Sequence, residues 1–262
     1  MLHKDKIVFI TGASSGIGKA LSIEFVSQGA KVVIASRNIE QLRILEKQLG
    51  AENCLCVQLD MEQPQGFQNC VDNALARFGR IDILVNNAGV SQRSLVAETK
   101  LEVDRRLMEI NFFGAVALTK IILPLMLQQG GGNICVLSSA AGKYGFWLRS
   151  SYSASKHALH GFFESLQIEL KTRNIKVTMV CPGGVATNMS VNALSGDGSP
   201  HGNMDKLLEK GLKPEYVASK IVKAIYKGKF ELYLGGGEIL LIYIKRFFPA
   251  LFRYLAVRVG PR

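Results

Sequence analysis

The sequence predicts an α/β fold, a doubly wound parallel sheet of about seven strands with helices on both faces. Short runs rich in valine and isoleucine recur along the chain, and they alternate with longer segments whose apolar residues are spaced three and four apart. The runs are almost continuously apolar instead of alternating with polar residues. Such runs are typical of strands that helices cover on both faces.

Seven runs are predicted to form the strands. In chain order they are Ile7–Ile10, Lys31–Ala35, Cys54–Leu59, Ile81–Asn86, Asn133–Leu137, Ile175–Val180 and, with the weakest pattern, Glu231–Leu234. The segments between them are long enough for helices and show helical spacing, as in Leu42, Leu45 and Leu49. Crossover helices of this kind join parallel strands.

Composition favours a single domain over residues 1–262. Of the 262 residues, 48% are hydrophobic and 20% are charged, which is enough apolar material for a large core. No linker rich in proline and serine, and no charge block, divides the first 185 residues. The composition turns loop-like over 183–211, and we expect this segment to be the substrate loop, since long loops in compact domains usually have a function.

The chain is strongly basic, with 32 lysines and arginines against 21 aspartates and glutamates and a formal net charge of +11. Such a balance favours an anionic partner: a nucleic acid, an acidic membrane surface, or a small phosphorylated or carboxylated ligand. The sequence contains no Lys/Arg-rich run of the nucleic-acid-binding type and no aromatic residues interleaved with basic ones. Nucleic acid is therefore not an expected partner.

The five cysteines and the first residues indicate the compartment. An odd number of cysteines without a C-x-x-C pair predicts neither a disulfide framework nor a zinc site, so no metal is expected. Because the first predicted strand begins at Ile7, Met1–Lys6 is too short and too polar for a signal peptide. We therefore expect a reducing, cytoplasmic location.

A glycine-rich turn follows the first strand, and a helical pattern follows the turn from Lys19. Glycines let the backbone turn sharply and approach a pyrophosphate, and the start of a helix directs its N–H groups and positive dipole end at the anion. We expect the turn to bind a dinucleotide, with a tight turn that has no ligand as the alternative. The residues expected to bind it are Gly12, Ser14, Ser15, Gly16, Ile17 and Gly18.

The end of the second strand, Ser36-Arg37-Asn38, indicates which dinucleotide. Folds that hold a ribose 2′-hydroxyl normally place an aspartate or glutamate there. Arg37 can instead hold a 2′-phosphate through its planar fork, and Ser36 can donate a hydrogen bond. NADP(H) is therefore expected in preference to NAD(H), with a solvated Arg37 as the alternative. After the third strand, Asp60 and Met61 are expected beside the adenine, and a helix cap is the other role open to Asp60.

Five motifs together resemble a known family. They are Thr11-Gly12-x-x-x-Gly16-x-Gly18, Asn86-Asn87-Ala88-Gly89, Ser139, Tyr152-x-x-x-Lys156 and Pro182-Gly183. In order and spacing they resemble the classical short-chain dehydrogenases/reductases over residues 5–230, which implies a Rossmann fold and a nicotinamide cofactor. The spacer from Ser139 to Tyr152 and the loop that starts at Thr187 look most like the branch with hydroxysteroid dehydrogenases and acyl/alkyl-dihydroxyacetone-phosphate reductases.

Tyr152 and Lys156 are four residues apart in a segment with helical periodicity, so their side chains lie on one helix face. The pKa of a free tyrosine is about 10 and must fall by roughly two to three units for acid/base work near neutrality. A lysine cation about 4 to 5 Å away supplies about that much at an effective dielectric constant near 20. We therefore expect Lys156 to lower the pKa of Tyr152.

The resemblance implies a role for each member of a catalytic group. Tyr152 would exchange a proton with the substrate oxygen and Ser139 would orient the same oxygen, so both would touch the substrate. Lys156 would also bind the nicotinamide ribose, and Asn111 would hold a water of the proton relay. Further cofactor contacts are expected from Asn87, Ala88, Gly89, Tyr152, Lys156, Pro182, Gly183, Val185 and Thr187.

The carboxyl-terminal segment 238–262 is hydrophobic and basic, and its longest apolar run is too short for a membrane span of about 20 residues. On a helix, Lys245, Arg246 and Arg253 fall on one side and the aromatic residues largely elsewhere. This pattern is typical of helices that lie in a membrane interface, and Pro249 interrupts it. We expect either peripheral membrane contact or packing over the substrate pocket or a partner subunit.

These observations predict an NADP(H)-dependent oxidoreductase that interconverts a carbonyl and a secondary alcohol on a hydrophobic, lipid-like or steroid-like substrate. A 3-oxoacyl-carrier-protein reductase is the alternative in the same reaction class, since a basic surface would attract an acidic carrier. A scaffold that senses NADPH without turnover is the alternative outside that class, although such a protein does not need Tyr152. The resemblance also implies a homodimer or homotetramer.

Overall fold

The computed structural model describes residues 1–258, apart from the side chains of residues 206 and 207. It contains one seven-stranded sheet, which confirms the predicted strand number. The strands are β1 Ile7–Thr11, β2 Lys31–Ser36, β3 Cys54–Gln58, β4 Ile83–Asn86, β5 Gly132–Leu137, β6 Ile175–Pro182 and β7 Glu231–Leu234. Each predicted run forms a strand, and no boundary differs from its predicted position by more than two residues.

All neighbouring strands are parallel, in the order β3-β2-β1-β4-β5-β6-β7. The chain first winds outward from β1 to β3 and then returns across the sheet to place β4 on the other side of β1. A crevice forms at the carboxyl ends of β1 and β4, where the winding reverses, and doubly wound folds bind ligands there. The doubly wound fold is thus confirmed, and its topology determines where the site lies.

Helices cover both faces of the sheet. They are α1 Gly16–Ser27, α2 Ile39–Leu49, α3 Phe67–Phe78, α4 Leu101–Met108, α5 Gly114–Gln128, α6 Ser150–Glu169, α7 Lys206–Glu209, α8 Pro214–Tyr226, α9 Gly237–Phe247 and α10 Pro249–Arg258. On β1, Ile7 and Phe9 belong to the core under α3, α5 and α6, whereas Val8 and Ile10 belong to the core under α1, α2 and α8. Successive side chains of a strand point to opposite faces, which explains why these strands are apolar throughout.

A π-helical turn, Glu109–Phe113, joins α4 to α5. Together they form one stretch, Leu101–Gln128, that is long and apolar enough by length and composition to cross a membrane. Half of its most apolar window is buried within the fold, where α5 contributes to the core. Packing against the sheet therefore accounts for the apolar character of this stretch.

The predicted loop over 183–211 is irregular except for the short helix α7. Two backbone hydrogen bonds connect this loop to the segment after β4. Leu194 N donates to Ser91 O, and Arg93 N donates to Leu194 O (2.8 Å each). The predicted helical tail is confirmed as α9 and α10, and the break between them falls at Phe248, directly before a proline. Residues 259–262 of the predicted tail lie outside the described residues.

Candidate active site

The glycine-rich turn connects β1 to α1 and leaves the start of that helix open. Ser15 precedes α1, its side chain makes no cap, and the first turn contains no acidic residue. By contrast, Asn38 caps α2 by accepting a hydrogen bond from Gln41 N (3.1 Å). An uncapped helix start presents N–H groups and a positive dipole end, and Ser14, Ser15 and Ile17 remain at least partly exposed around it. A pyrophosphate fits this position.

The glycines of the turn lie where side chains would collide. Gly12 has a φ of 67°, and a Cβ there would lie 2.9 Å from Ala88 Cα. A Cβ on Gly18 would lie 2.3 Å from the carbonyl oxygen of Gly12, and one on Gly16 would lie 3.1 Å from Thr187 Cγ2. The turn is therefore packed between the loop after β4 and the segment after β6. Backbone geometry thus supports a dinucleotide here independently of the motif.

Thr11 is a positioning residue of the site. It opens the glycine-rich motif, but it was not among the residues predicted to form the site. Its hydroxyl accepts hydrogen bonds from Asn87 N and Ala88 N (3.0 Å each) and donates to Val85 O (3.3 Å). Asn87 Nδ2 donates in return to Thr11 O (2.8 Å) and Gly12 O (3.2 Å). These bonds hold Asn87 and Ala88 at the crevice. The signal for Thr11 is its burial between two neighbouring strands, which only the fold reveals.

Ser36 ends β2 and Arg37 follows it, at the same edge of the sheet. Ser36 is buried and its hydroxyl donates to Asn38 O (3.4 Å). Arg37 is exposed, and its Nη1 lies 3.9 Å from Glu62 Oε2, which is a long contact. Arg106 holds Glu62 more closely, with 3.0 Å between Arg106 Nε and Glu62 Oε1. The guanidinium of Arg37 therefore stands at the rim of the crevice, where it can turn to a phosphate.

Asp60 and Met61 follow β3, the next strand along this edge. Asp60 Oδ1 accepts a hydrogen bond from Glu62 N (3.1 Å), so this aspartate does form a turn. Met61 is buried, and a Cβ on Gly114 would lie 2.8 Å from Met61 Cε. Both residues thus have packing or turn roles, and their contacts with an adenine stay a prediction.

Asn111 lies in the π-helical turn between α4 and α5, a conformation often found at functional sites. Its amide nitrogen donates to Ser155 Oγ and to Val90 O (3.0 Å each), and its amide oxygen accepts from Val90 N (2.8 Å). A Cβ on Gly89 would lie 3.0 Å from Asn111 Oδ1 and 3.4 Å from Lys156 Nζ. Gly89 therefore marks the point where the asparagine amide and the lysine ammonium come together.

Helix α6 carries Tyr152 and Lys156 into the fold, where both are buried. Lys156 Nζ donates to Leu137 O at the end of β5 (2.7 Å) and lies 5.7 Å from the centroid of the Tyr152 ring. Burial lowers the pKa of Lys156 to about 8, because an ammonium is poorly solvated in the interior. The predicted pair thus shares one face of α6.

The pKa of Tyr152 departs from the expected direction. Burial of the phenol raises its pKa, and the hydrogen bond with Ser139 and the charge of Arg149 only oppose that rise. The predicted net fall in the pKa of Tyr152 is therefore not seen in the chain by itself. Desolvation of the phenol outweighs the nearby charges, and the buried ammonium of Lys156 holds its own proton weakly. Tyr152 is thus a protonated acid in this structure.

Ser139 follows β5 and Pro182 ends β6, so the two lie side by side at the edge of the sheet. Ser139 Oγ accepts a hydrogen bond from Ala141 N (3.1 Å) and donates to Pro182 O (3.4 Å). The same hydroxyl also acts on the Tyr152 phenol, whose pKa it lowers against the effect of burial. Ser139 therefore connects the tyrosine to the segment after β6.

The backbone after β6 runs along the crevice and touches the tail. A Cβ on Gly183 would lie 1.9 Å from Glu238 Oε1, and Gly184 N donates to the same oxygen (3.1 Å). Val185 is buried, and Thr187 lies against the glycine-rich turn. Of the predicted cofactor residues of this segment, Thr187 therefore borders the crevice, whereas Gly183 packs against the first turn of α9 and Val185 belongs to the core.

Gln92 is a buried residue that sequence reasoning did not identify. Its Oε1 accepts hydrogen bonds from the backbone N–H groups of Ser151 (2.9 Å) and Tyr152 (3.4 Å) at the start of α6. Arg149, which precedes α6, makes no side-chain cap of its own. Gln92 therefore caps the helix that carries Tyr152 from a distant part of the chain, and no local pattern could have indicated it.

Apart from the candidate catalytic residues, three side chains of the kinds that can bind a metal lie close together. They are His160, Cys181 and Glu231, whose potential donor atoms lie within 4.8 Å of one another. Lys143 Nζ lies 2.6 Å from Glu231 Oε1, and Glu164 Oε1 lies 3.1 Å from His160 Nδ1. Burial raises the pKa of the Cys181 thiol to about 12, so the thiol is neutral. These side chains satisfy one another, which is the packing arrangement of an internal ion-pair network.

We expect Lys156→Met to stabilise the fold at pH 7 by about 2 kcal/mol. The fall in the pKa of Lys156 from 10.5 to about 8 costs about 3 kcal/mol at about 1.4 kcal/mol per unit, and loss of the hydrogen bond to Leu137 offsets about 1 kcal/mol of the gain. The folded chain binds fewer protons here than the unfolded chain, so the cost is complete below pH 8 and is lost as the pH rises through 10.5. Urea unfolding of both proteins from pH 7 upward measures this difference.

The control for this variant is Lys171→Met, which removes an exposed lysine just beyond the same helix. A stability gain that Lys171→Met shares would contradict the burial argument. So would a gain that does not shrink as the pH rises above 8, because the folded chain releases the Lys156 proton in that range and no longer bears the cost of the buried charge.

Residues 6–197 match the family model for short chain dehydrogenase. The chain is 39% identical over 263 residues to dehydrogenase/reductase SDR family member 7B of Mus musculus. The aligned region covers 97% of this chain and 81% of the mouse protein. A short-chain dehydrogenase from Streptomyces avermitilis superposes with a TM-score of 0.84 at 31% identity, covering 97% of this chain and 98% of that one. A short chain dehydrogenase/reductase from Burkholderia phymatum, in complex with NAD, superposes with a TM-score of 0.86 at 23% identity over 96% of both chains.

The family model covers most of the chain, and the mouse relative is similar over nearly its whole length. The bacterial structures share the seven-stranded architecture that places Asn111, Ser139, Tyr152 and Lys156 together. The chain therefore belongs to the short-chain dehydrogenase/reductase family.

Proposed function

We propose that this chain interconverts a carbonyl and a secondary alcohol on a hydrophobic substrate, with NADP(H) as the hydride carrier. The observation that carries the proposal is the convergence of Asn111, Ser139, Tyr152 and Lys156 at the carboxyl edge of the sheet. A protonated phenol, an oxygen-orienting hydroxyl and a buried lysine beside a dinucleotide site are the groups that reduction of a carbonyl requires.

Each part of the cofactor would lie against a different segment of the chain. The turn from Gly12 to Gly18 would hold the pyrophosphate, and Arg37 would hold the 2′-phosphate. The loop from Asn87 to Gly89 and the segment from Pro182 to Thr187 would flank the nicotinamide half. When bound, NADPH supplies the hydride for the new C–H bond.

The protein supplies the proton and the orientation. Tyr152 keeps a proton at its phenol oxygen, because burial raises its pKa, and can donate it to the substrate oxygen. Ser139 lies near enough to the same phenol to affect its pKa and can direct its hydroxyl at the substrate oxygen. Lys156 Nζ, 5.7 Å from the tyrosine ring centroid, favours the phenolate that remains. Asn111 lies beside Lys156 across Gly89, where its amide can hold a water that returns the proton.

Arg37 supports NADP(H) in preference to NAD(H). The sequence Ser36-Arg37-Asn38 contains no carboxylate that could accept a 2′-hydroxyl. Glu62 lies 3.9 Å from Arg37 but is engaged by Arg106 at 3.0 Å, so its charge is largely compensated. A guanidinium suits a phosphate through two parallel hydrogen bonds. The Burkholderia protein was solved with NAD. At 23% identity, its similarity to this chain indicates a shared fold and does not indicate a shared cofactor.

Aromatic packing next to Tyr152 supports a hydrophobic substrate. Tyr144 stacks on Phe146 with ring centroids 4.8 Å apart, and Phe252 of α10 packs edge-on against Tyr144 at 5.4 Å. Tyr144 Oη also donates to Glu238 O at the start of α9 (3.0 Å). The tail therefore packs over the segment that leads into Tyr152, and a lipid-like or steroid-like carbonyl compound suits such surroundings.

The outer face of the tail supports peripheral membrane contact in addition. Phe247 and Phe248 are 69% and 63% exposed, and the cations Lys245 and Arg246 precede them. The first acid of the tail, Glu238, is turned inward to Gly184 N, so it does not offset those cations at the surface. Exposed aromatic residues beside basic ones suit an anionic lipid surface.

We expect the double variant Phe247→Ser, Phe248→Ser to weaken binding to vesicles that contain anionic lipid at least about tenfold, because two large apolar side chains no longer enter the interface. Co-sedimentation measures the change. The matched control is Ile44→Ser with Val96→Ser, two apolar residues of similar exposure outside the tail. Equal binding by both double variants would assign the tail to the pocket or to a partner subunit.

Exposed apolar residues also support a homodimer or homotetramer. Phe113 before α5, Leu127 on α5 and Ile168 on α6 are 50%, 40% and 76% exposed. These helices are the ones that the family resemblance implies for the subunit interface, and burial of such residues would stabilise it. The cytoplasmic location stays a prediction.

Two other functions remain as outcomes of the experiment. A 3-oxoacyl-carrier-protein reductase receives no support from the relatives compared above. An NADPH-sensing scaffold has no need for a protonated tyrosine between Ser139 and Lys156. Each predicts a distinct result in the assay.

The experiment is an assay of NADPH and NADH oxidation against ketosteroids, aliphatic ketones, acyl-dihydroxyacetone phosphate and 3-oxoacyl thioesters. We expect reduction of a hydrophobic ketone with NADPH and much slower reduction with NADH. Preference for the thioesters would favour the carrier-protein reductase. Tight NADPH binding without turnover of any compound would favour the scaffold.

A further inference from the structure

Two arginines and one aspartate form a charge cluster beside Tyr152, hereafter the arginine–aspartate cluster. Arg93 follows β4, Arg149 directly precedes α6, and Asp205 belongs to the 183–211 loop. Both guanidiniums contact Asp205 Oδ2, Arg149 at 3.3 Å and Arg93 at closer range. The three side chains are only 15%, 15% and 17% exposed. Three segments on the substrate side therefore meet at one carboxylate.

The cluster brings two guanidinium charges to a single carboxylate. Arg149 Nε is buried without a hydrogen-bond partner among the described residues. Burial lowers the pKa of Arg93 to about 10 with the help of the Arg149 charge, and burial lowers the pKa of Arg149 as well. Buried cations that are incompletely compensated are costly. Such groups are retained where an anion has to be bound.

The cluster lies close to Tyr152, and the charge of Arg149 acts on the phenol. Arg149 lies one turn before Tyr152 in the chain. Met189 Sδ lies 4.0 Å from Tyr152 Oη, and the next residue, Ser190, accepts a hydrogen bond from Asp205 N (3.0 Å). A substrate whose oxygen lies at Tyr152 can therefore extend toward the two guanidiniums.

We propose that Arg93 and Arg149 form a subsite for an anionic group of the substrate, a carboxylate or a phosphate. Asp205 holds the guanidiniums in the arrangement that such a group would use, and the substrate anion competes with this carboxylate for them. The inference deepens the proposed function and rests on it for the place of the reacting carbon. The substrate would then be a hydrophobic carbonyl compound with an acidic end.

A simpler role is that Asp205 only fastens the loop, and two variants separate the roles because they act in opposite directions. Arg149→Gln removes a guanidinium, so anion binding should weaken at least about tenfold, the size expected for a charge-assisted hydrogen bond. Asp205→Asn keeps the shape but removes the competing charge, so anion binding should strengthen about fivefold or more. If Asp205 only holds the loop in place, both variants should weaken anion binding.

The probes are decanoate and inorganic phosphate, titrated calorimetrically into the protein saturated with NADPH so that the cofactor site is closed to them. Tighter decanoate binding identifies a carboxylate, and tighter phosphate binding identifies a phosphate. Arg105→Gln, which removes an exposed arginine of α4, is the control and should change nothing. Failure of wild type and Asp205→Asn to bind either anion overturns the proposal. These titrations need no turnover, so they stand even if the proposed reaction is wrong.

Kinetics give a second readout once a ketone is reduced. For a pair of ketones that differ only in a terminal carboxylate, Arg149→Gln should raise the KM of the acid about tenfold and leave that of the neutral ketone unchanged. An equal rise for both ketones would show that Arg149 supports the loop and does not recognise the anion.

Discussion

Replacing Tyr152 with phenylalanine is expected to lower kcat at least about a thousandfold and to leave NADPH binding within about twofold. The change removes the hydroxyl group that donates the proton and keeps the buried ring that packs beside Lys156. Because the phenol oxygen is the only atom lost, the substrate oxygen would have to take its proton from water. Turnover of the best ketone and a fluorescence titration with NADPH measure the two quantities separately.

The matched control for this variant is Tyr216→Phe, which removes a hydroxyl from a half-exposed tyrosine on α8. It should keep wild-type turnover. Retention of more than about a tenth of the turnover in Tyr152→Phe would exclude this tyrosine as the principal acid. Loss of NADPH binding together with turnover would mean that the hydroxyl shapes the cofactor site instead.

The second large effect is expected at Arg37. Arg37→Asp should raise the KM for NADPH about a hundredfold, because a charge-assisted contact is lost and a like charge faces the 2′-phosphate. The new carboxylate can also accept the 2′-hydroxyl of NADH, so the KM for NADH should fall or stay the same. Steady-state assays with each cofactor at a fixed ketone concentration measure the preference.

Arg43→Asp is the control for Arg37, since it makes the same change in charge on α2 at an arginine that pairs with Glu40 (3.2 Å). It should leave the preference for NADPH intact. An equal loss in both variants would point to general electrostatic attraction of the cofactor by the basic surface. If the Arg37→Asp variant kept full preference for NADPH, Arg37 would be a solvated surface residue that does not bind the 2′-phosphate.

Local patterns in the sequence predicted the architecture because they follow from short-range geometry. Strands between two helical layers must be apolar on both faces, so apolar runs identified the strands, with the weakest pattern at β7, which contains neither valine nor isoleucine. The turn from Gly12 to Gly18 could be predicted for the same reason, since Gly12 and Gly18 meet neighbouring backbone at distances that exclude a side chain. The pairing of Tyr152 with Lys156 required only helical spacing.

Long-range contacts could not be predicted in this way. Gln92 caps α6 from a position far away in the chain, and Thr11 joins two strands that are distant in sequence. Asp205 reaches Arg93 and Arg149 only because the loop folds back over the start of α6. No periodicity relates such residues, so their partnership is visible only once the strands are ordered.

The sequence by itself determined the fold class and the place of the glycine-rich turn, which depend on residue type and spacing, and the resemblance of its motifs to a family indicated the four catalytic candidates. Tertiary structure decided the direction of the pKa shifts of two of them, Tyr152 and Lys156. Spacing places Lys156 next to Tyr152, but the direction of each pKa depends on how much water the fold removes from both groups. Burial raises the pKa of the phenol and lowers the pKa of the ammonium, and burial is a property of the packed chain, not of the motif.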